Sequence, residues 1–430
     1  MFLIIIIIFF MFLFFSKNKY RTYINPITLF VGVHLFSIIL MYGTSIINHR
    51  LSVKLYILIV IMIFMYILGT IVGKRQIVFR NCFQSKCIKE TNEKRLKKII
   101  IIYSLIFDLF AIYYLLHLNS SYGFQRMLVD LSGLNAAIQN GEFKSGIYTY
   151  FTPIGVPLAL MILFYLKQFK NKIRCKWLYI IQYILCYIPC ISPRRDYLFY
   201  IVIVNILYYV TQIGINVKFN RSISKKIRNF CIVGGVLFFG VWIMSYTQQL
   251  MNKDTSYDFL IFGINVPKFL KDPVLYIAGN YPYLEKMNCL GELSLSQPLI
   301  STFRLIYRYL CPIIGLNVDT NTIFDLPFYD IGYHTEVLFN TAPVLYYAII
   351  EAGMFFGIIF FVMGILSEKA FLAVNQKSTI GKIMLGIFQY SIIVLSFREY
   401  KLIFQTYLLM LIYIYIAYKY VDICCVEVKE

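Results

Sequence analysis

Charge is scarce in this 430-residue chain, and negative charge scarcest: 14% of residues are charged, with 21 Asp and Glu against 41 Lys and Arg. With 60% hydrophobic residues and a mean hydropathy of +0.70, that scarcity excludes a water-soluble globule. Polar–apolar alternation is also missing. The apolar runs are continuous, which excludes a transmembrane barrel built from period-2 strands of about ten residues. Metal-ligand spacing is missing as well: Cys82 with Cys87, and Cys424 with Cys425, lack the four-ligand pattern of a zinc site. There is no internal repeat, which counts against a transporter with rocking, symmetric halves.

What is present is a ladder of apolar stretches, many near the ~20 residues that cross ~30 Å of hydrocarbon. They predict an all-α polytopic integral membrane protein with about eleven spans: Phe2 to Phe15, Pro26 to Ile47, Leu55 to Gly73, Ile99 to His117, Ile147 to Leu166, Trp177 to Ser192, Tyr197 to Ile215, Phe230 to Tyr246, Val344 to Leu366, Ile383 to Ser396 and Leu402 to Tyr418. The first lacks a basic leader and a small-residue cleavage site, so it is expected to be retained.

Orientation follows from Lys and Arg. Of the 41, 27 fall on alternate connections, including nine from Lys74 to Lys98 and five each from Lys167 to Lys176 and from Lys218 to Arg228. Those connections are expected in the cytoplasm, and the others outside. The net charge of +20 is then mostly a topology signal plus attraction to anionic membrane lipid, and nucleic acid is rejected as a partner. The chain divides into a membrane domain over 1–246, an outer loop over 247–343 and a second membrane domain over 344–430. The loop holds six basic and nine acidic residues and patches such as Leu260-Ile261-Phe262 and Tyr276-Ile277, which predicts short amphipathic helices on the membrane surface. Cys289 and Cys311 are its only cysteines, and they can pair if the outer compartment is oxidising.

Ionisable groups at or inside a hydrocarbon boundary are costly, and are functional candidates by default. Arg194 and Arg195, in Pro193-Arg194-Arg195-Asp196, form the only break between two apolar stretches. Guanidinium forks match phosphate oxygens, so this pair is a candidate anion clamp. Arg304 and Arg308 are four apart and share a face if their segment is helical; snorkelling from a surface helix explains them equally well. Arg398, in Arg398-Glu399-Tyr400-Lys401, adds a cation at the outer surface. His334, in Gly332-Tyr333-His334-Thr335-Glu336, and Glu336 are candidate bases for activating a hydroxyl. Asp108 and Glu351 lie inside spans and are expected to face the bundle interior. Glu351 is followed by Gly353 and Gly357, a spacing that permits close helix approach.

Asn340-Thr341-Ala342-Pro343, then Tyr346-Tyr347, then Glu351-Ala352-Gly353 and Gly357 resemble the Asn-Thr, Tyr-Tyr, Asp-Phe-Gly, Gly pattern late in bacterial oligosaccharide repeat-unit polymerases, the Wzy-type O-antigen and capsule polymerases. Ser192-Pro193-Arg194-Arg195 before an apolar span is similar to the family's arginine at the start of a mid-chain helix, and Arg304 and Gly315 match an Arg-x10-Gly pattern in some members. Glu351 stands where Asp is commoner, and the glycine spacing is one residue longer.

The resemblance implies a GT-C-like fold in the bacterial inner membrane, with an outward-facing site that joins undecaprenyl-diphosphate-linked oligosaccharide repeat units into O-antigen, capsule or exopolysaccharide. It implies no cofactor and no metal, and a flippase and a chain-length regulator as partners. On that footing Arg194 and Arg195, helped by Arg398, hold the diphosphate, Arg304 and Arg308 hold the second lipid-linked substrate, and His334, Glu336 or Glu351 is the base. The competing readings are an O-antigen ligase, which transfers glycan to lipid A core, a lipid-linked oligosaccharide flippase, and a metal-dependent transferase using a polyprenyl-phosphate sugar. The connection from Asn48 to Lys54 has no acidic residue, which counts against the last.

Overall fold

In a computed structural model, the chain is described over residues 2–20, 25–75, 89–123, 146–169, 175–190, 196–216, 258–294, 307, 311–315, 326–375, 380–399 and 405–422. The expected span Phe230 to Tyr246 lies outside the described residues. Helix dominates, and the only strands described are four of two residues each. Five helical segments are long and apolar enough to cross a membrane: Pro26–Gly43, Val53–Lys74, Glu93–Tyr122, Tyr148–Gln168 and Val344–Val374. Shorter apolar helices cover Ile6–Ser16, Tyr200–Thr211 and Ile380–Leu395. The chain is therefore an all-α membrane protein. It splits into two compact units, Met1–Arg80 with Thr255–Phe371 and Ile392–Gln405, and Asn81–Asp254 with Leu372–Ser391 and Thr406–Glu430.

The first unit begins with α1 (Phe2–Tyr20) and α2 (Pro26–Gly43). Asn25 sets the start of α2: its Oδ1 accepts from Thr28 N at 2.9 Å and from Ser16 Oγ at 2.8 Å, and Pro26 follows at the first helical position, where its missing N–H costs nothing. Phe30 stacks on Tyr66 of α3 (Val53–Arg75) at 3.9 Å between ring centroids.

The span expected as one helix over Val344 to Leu366 is broken. α11 (Val344–Ala352) stops at Gly353, whose φ of 53° and ψ of −125° no side-chain-bearing residue adopts readily. A 3-10 turn, Gly353–Phe355, leads into α12 (Phe356–Asn375). Twenty residues of α12 span about 30 Å by themselves. Gly353 is thus a helix terminator and not half of a packing motif. Close approach uses other glycines: a Cβ on Gly69 would lie 2.0 Å from Phe361 O, and one on Gly364 2.1 Å from Tyr66 O. The contacts advance in step, Met65 with Gly357, Gly69 with Phe361 and Gly73 with Ile365, so α3 and α12 run parallel with small residues between their backbones.

The expected loop helices form as α9 (Lys268–Ala278) and α10 (Asn280–Cys289), and both pack on α2. Beside them are two small hairpins, β1 (Leu260–Ile261) with β2 (Ile264–Asn265) and β3 (Tyr329–Asp330) with β4 (Leu338–Phe339). The first turns through Phe262 (φ 48°) and Gly263 (φ 83°), the two left-handed residues a tight two-residue hairpin needs. Residues Thr44 and Ile47, just past α2, bridge to Ile261 and Gly332 and so tie both hairpins to the end of that helix.

The second unit contains α4 (Lys89–Tyr122), α5 (Tyr148–Phe151), α6 (Gly155–Gln168), α7 (Lys176–Leu185) and α8 (Asp196–Asn216), with most of α13 (Ile380–Leu395) and α14 (Gln405–Asp422). A 3-10 turn at Thr152–Ile154 separates α5 from α6. The stretch Trp177 to Ser192 gives a helix of only ten residues, about 15 Å and half the hydrocarbon thickness, followed by a 3-10 turn at Ile188–Cys190. Tyrosine hydroxyls on backbone carbonyls tie the unit together: Tyr103 to Tyr413 O at 2.7 Å, Tyr413 to Tyr150 O at 2.6 Å and Tyr208 to Leu163 O at 3.2 Å.

Candidate functional site

The densest buried polar cluster forms where α9 meets α10, alongside the middle of α2. Pro282 has no N–H for the carbonyl four residues back, so the helix kinks at Gly279. Kinking frees carbonyls, which must be paired where water and lipid cannot serve them. Asn280 Nδ2 donates to Tyr276 O at 2.6 Å and to Ile277 O at 3.2 Å, and Ser37 Oγ of α2 donates to Ile277 O at 2.6 Å. Asn280 Oδ1 accepts from Thr341 Oγ1 at 3.0 Å. The sequence expectation of surface-lying helices misses this joint, where Asn280 and Tyr281 are fully buried.

His34, in the middle of α2, is the centre of the cluster and is also fully buried. Its Nδ1 is 2.7 Å from Tyr281 Oη and its Nε2 3.1 Å from Ser396 Oγ, at the end of α13. Ser396 has one proton, and its Oγ donates to Ile393 O at 2.6 Å. Ser396 Oγ therefore accepts from His34 Nε2–H, and Tyr281 Oη pairs with Nδ1. Both ring nitrogens of His34 are thus paired within the cluster. Ser396 also uses its carbonyl: Val344 N donates to it at 2.8 Å and so satisfies the start of α11.

Two residues past Ser396, Arg398 lies over the ring of Tyr276, 4.8 Å from its centroid, and its Nε is 3.0 Å from Glu399 Oε1. Side-chain exposure is 14% for Arg398 and 9% for Glu399. Among the described residues, Arg398 is the predicted site residue that the fold brings to the cluster. The guanidinium face is taken by an aromatic ring and one edge by a carboxylate, an arrangement that lysine cannot reproduce.

The candidate bases occupy two environments. His334 and Glu336 sit exposed on the turn between β3 and β4, and neither has a hydrogen-bond or ion-pair partner among the described residues. Asp330 Oδ1 organises that turn by accepting from Gly332 N at 2.8 Å and Val337 N at 2.9 Å. His334 meets Tyr333 edge-on at 4.0 Å, and Tyr333 continues to His49 at 6.3 Å. Glu351, by contrast, is 2% exposed in the last turn of α11. Arg194, Arg195, Arg304 and Arg308 lie outside the described residues. Asp108 accepts from Gln182 Nε2 at 2.8 Å in the second unit, the intramembrane polar pairing its position predicts. Cys289 and Cys311 are both free thiols.

Another buried acid was not singled out from the sequence. Glu368 falls on α12, fully buried, and its Oε2 accepts from Tyr20 Oη. Lys19 Nζ contacts Thr70 Oγ1 at 3.5 Å beside it. The expected span ended at Leu366, two residues short of Glu368. The signal for His34 was available: it interrupts an apolar run in Val33-His34-Leu35. Outside the spans, the hydrogen bond and charge of Lys271, whose Nζ is 2.7 Å from Asp258 Oδ1, hold the Asp258 carboxyl below the usual carboxylate range.

Among the described residues, no group of three or more His, Cys, Asp or Glu is arranged to hold a metal ion. Compared with known families, with characterised proteins and with solved structures, the chain gives no match.

Proposed function

We propose that this protein is an outward-facing polymerase of undecaprenyl-diphosphate-linked oligosaccharide repeat units, with eleven spans, a GT-C-like fold and a place in the bacterial inner membrane. One observation carries the reading. Thr341, in the segment that resembles the polymerase pattern, and Arg398, the cation expected to help with the diphosphate, are joined to Asn280 and Tyr276, one helical turn apart at the α9–α10 kink. A motif legible only in sequence and a candidate cation thus converge on one buried cluster of the first unit.

In this reading the diphosphate of the donor is the leaving group. Arg194, Arg195 and Arg398 stabilise the charge that develops on it, and Arg304 and Arg308 hold the second lipid-linked substrate. A base accepts the proton of the attacking sugar hydroxyl. His334 and Glu336 are open to a glycan arriving from water, whereas Glu351 is enclosed, so the exposed turn is the better supply of the base. The donor bond already stores the leaving group, so the transfer uses no nucleotide, cofactor or metal.

Purified protein given lipid-linked repeat units alone should lengthen them and release undecaprenyl diphosphate. A requirement for a nucleotide sugar or a divalent ion would overturn the proposal. Deleting the gene should leave single exported repeat units and no long chains. Long chains left on the carrier would instead identify an O-antigen ligase, the reading that the exposed loop histidine keeps in play, and repeat units trapped in the cytoplasm would identify a flippase.

A further inference from the structure

The break between α11 and α12 opens a cleft that the catalytic reading does not use. Its volume is about 400 Å³, and it is lined by Lys54, Leu58, Ile349, Gly353, Met354 and Phe355 among others. Its rim is unusually apolar for an exposed surface: Met354 is 87% and Phe355 67% exposed. On either side run apolar stripes open to the surroundings, Val53, Ile57, Ile61 and Phe64 on α3 and Ile358, Val362 and Leu366 on α12. A cleft between two such stripes of spanning helices opens to hydrocarbon.

Among the described residues, one cation, Lys54, lines the cleft. Lys54 is exposed in the first turn of α3, a turn with no acidic residue, and it has no carboxylate within ion-pair distance among the described residues. The nearby acids are turned elsewhere: Glu285 accepts from Ser52 N and Oγ, both at 3.0 Å, and Glu292 from Tyr329 Oη at 2.6 Å. An apolar cleft with a single cation at its polar end matches a lipid with one long chain inside and one negative charge at the head. No arginine is among the described residues that line it, and a lone ammonium is a point charge suited to a phosphodiester, not a fork for a diphosphate. The geometry points to a binding site for an anionic phospholipid, with one acyl chain in the α11–α12 break and its phosphate on Lys54. The site stands apart from the polymerase reading and survives or fails without it.

Photoactivatable phosphatidylglycerol, carrying its reactive group on the acyl chain, tests this on the full-length protein in lipid discs. Peptide mapping should place the label within 349–356. Lys54→Glu, at an exposed position, should cut that label about fivefold, the loss expected of one lysine near an anionic headgroup. Unlabelled phosphatidylglycerol should compete on the unaltered protein, and phosphatidylcholine should not. Equal labelling by a phosphatidylcholine probe would overturn the headgroup assignment. Label elsewhere, or unchanged by Lys54→Glu, would overturn the site. Competition by polyprenyl phosphate at a lower concentration than phosphatidylglycerol would overturn the phospholipid and hand the cleft to the substrate.

Discussion

The two units bury different chemistry. Among the described residues, every buried ionisable side chain other than tyrosine and cysteine belongs to the first: His34, Lys271, Asp272, Glu351, Glu368 and Glu399. The described buried polar residues of the second are Asn205, Thr211 and Ser391, and tyrosine hydroxyls on carbonyls supply several of its long-range bonds. Burying ionisable groups in a membrane protein is expensive, whereas a tyrosine on a carbonyl satisfies both partners cheaply. The first unit carries charge that packing alone does not require, and the second is built as its polar bonds would be in any stable helical bundle.

Arg398 distinguishes the two units most strongly. If the first unit holds the chemistry, Arg398→Gln should lower chain elongation about a hundredfold, the size expected when one group stabilising developing charge is removed. Arg398→Lys should recover little, since the ring contact and the fork are lost. Elongation by Arg398→Lys at the unaltered rate, at matched protein level, would remove Arg398 from the site.

Next come the glycines. Gly69→Ala in the first unit forces a Cβ against the Phe361 carbonyl, so α3 and α12 must separate, at a cost of about 3 kcal/mol. Gly155→Ala in the second unit meets the Tyr197 hydroxyl at 2.1 Å and the Phe107 ring at 2.6 Å, side chains that can turn aside, for about 1 kcal/mol. Thermal unfolding in detergent should rank them in that order, and a reversed ranking would show that backbone contact does not set the cost.

A smaller difference separates the polar nodes. His34→Leu strands the Tyr281 hydroxyl and the Ser396 acceptor in a closed interior, worth about 2 kcal/mol. In the second unit Asn205 donates to Tyr183 Oη at 3.0 Å and Tyr187 Oη at 2.7 Å, but those two hydroxyls also bond each other at 3.0 Å. Asn205→Leu should therefore cost about half as much. Equal melting shifts would mean that His34 is not a sealed node.

The smallest effect is at the surface. With its folded pKa depressed by Lys271, Asp258 contributes stability that is complete above its unfolded pKa, about 3.9, and lost as pH falls through the lower folded value. Asp258→Asn should thus leave melting unchanged in its pH profile from 7 to 5 and flatten only the acid limb below about 4.

Helix locations were largely legible because hydrocarbon demands long apolar runs: α2, α3, α4 and α8 fall where those runs lie. The break at Gly353 was not, because a glycine in an apolar run reads the same whether it packs or terminates; its backbone angles decide. Glu351 and Asp108 were legible as intramembrane acids. The cluster was not, since it is assembled from α2, the α9–α10 kink and the end of α13, separated by hundreds of residues, and no local periodicity reports such a meeting. Nothing in the sequence says that Ser37 supplies a freed carbonyl's partner.

The interruption at Gly353–Phe355 has a mechanical consequence. α12 is held along its length by glycine contacts with α3, while α11 is held at its start by the carbonyl of Ser396. An unbroken helix would act as a rigid rod, so any displacement at Val344 would tilt the whole of it and pry at the α3 seam. Three non-α residues act instead as a flexible coupling. α11 can rock while α12 stays fixed, and the strain is absorbed within one turn.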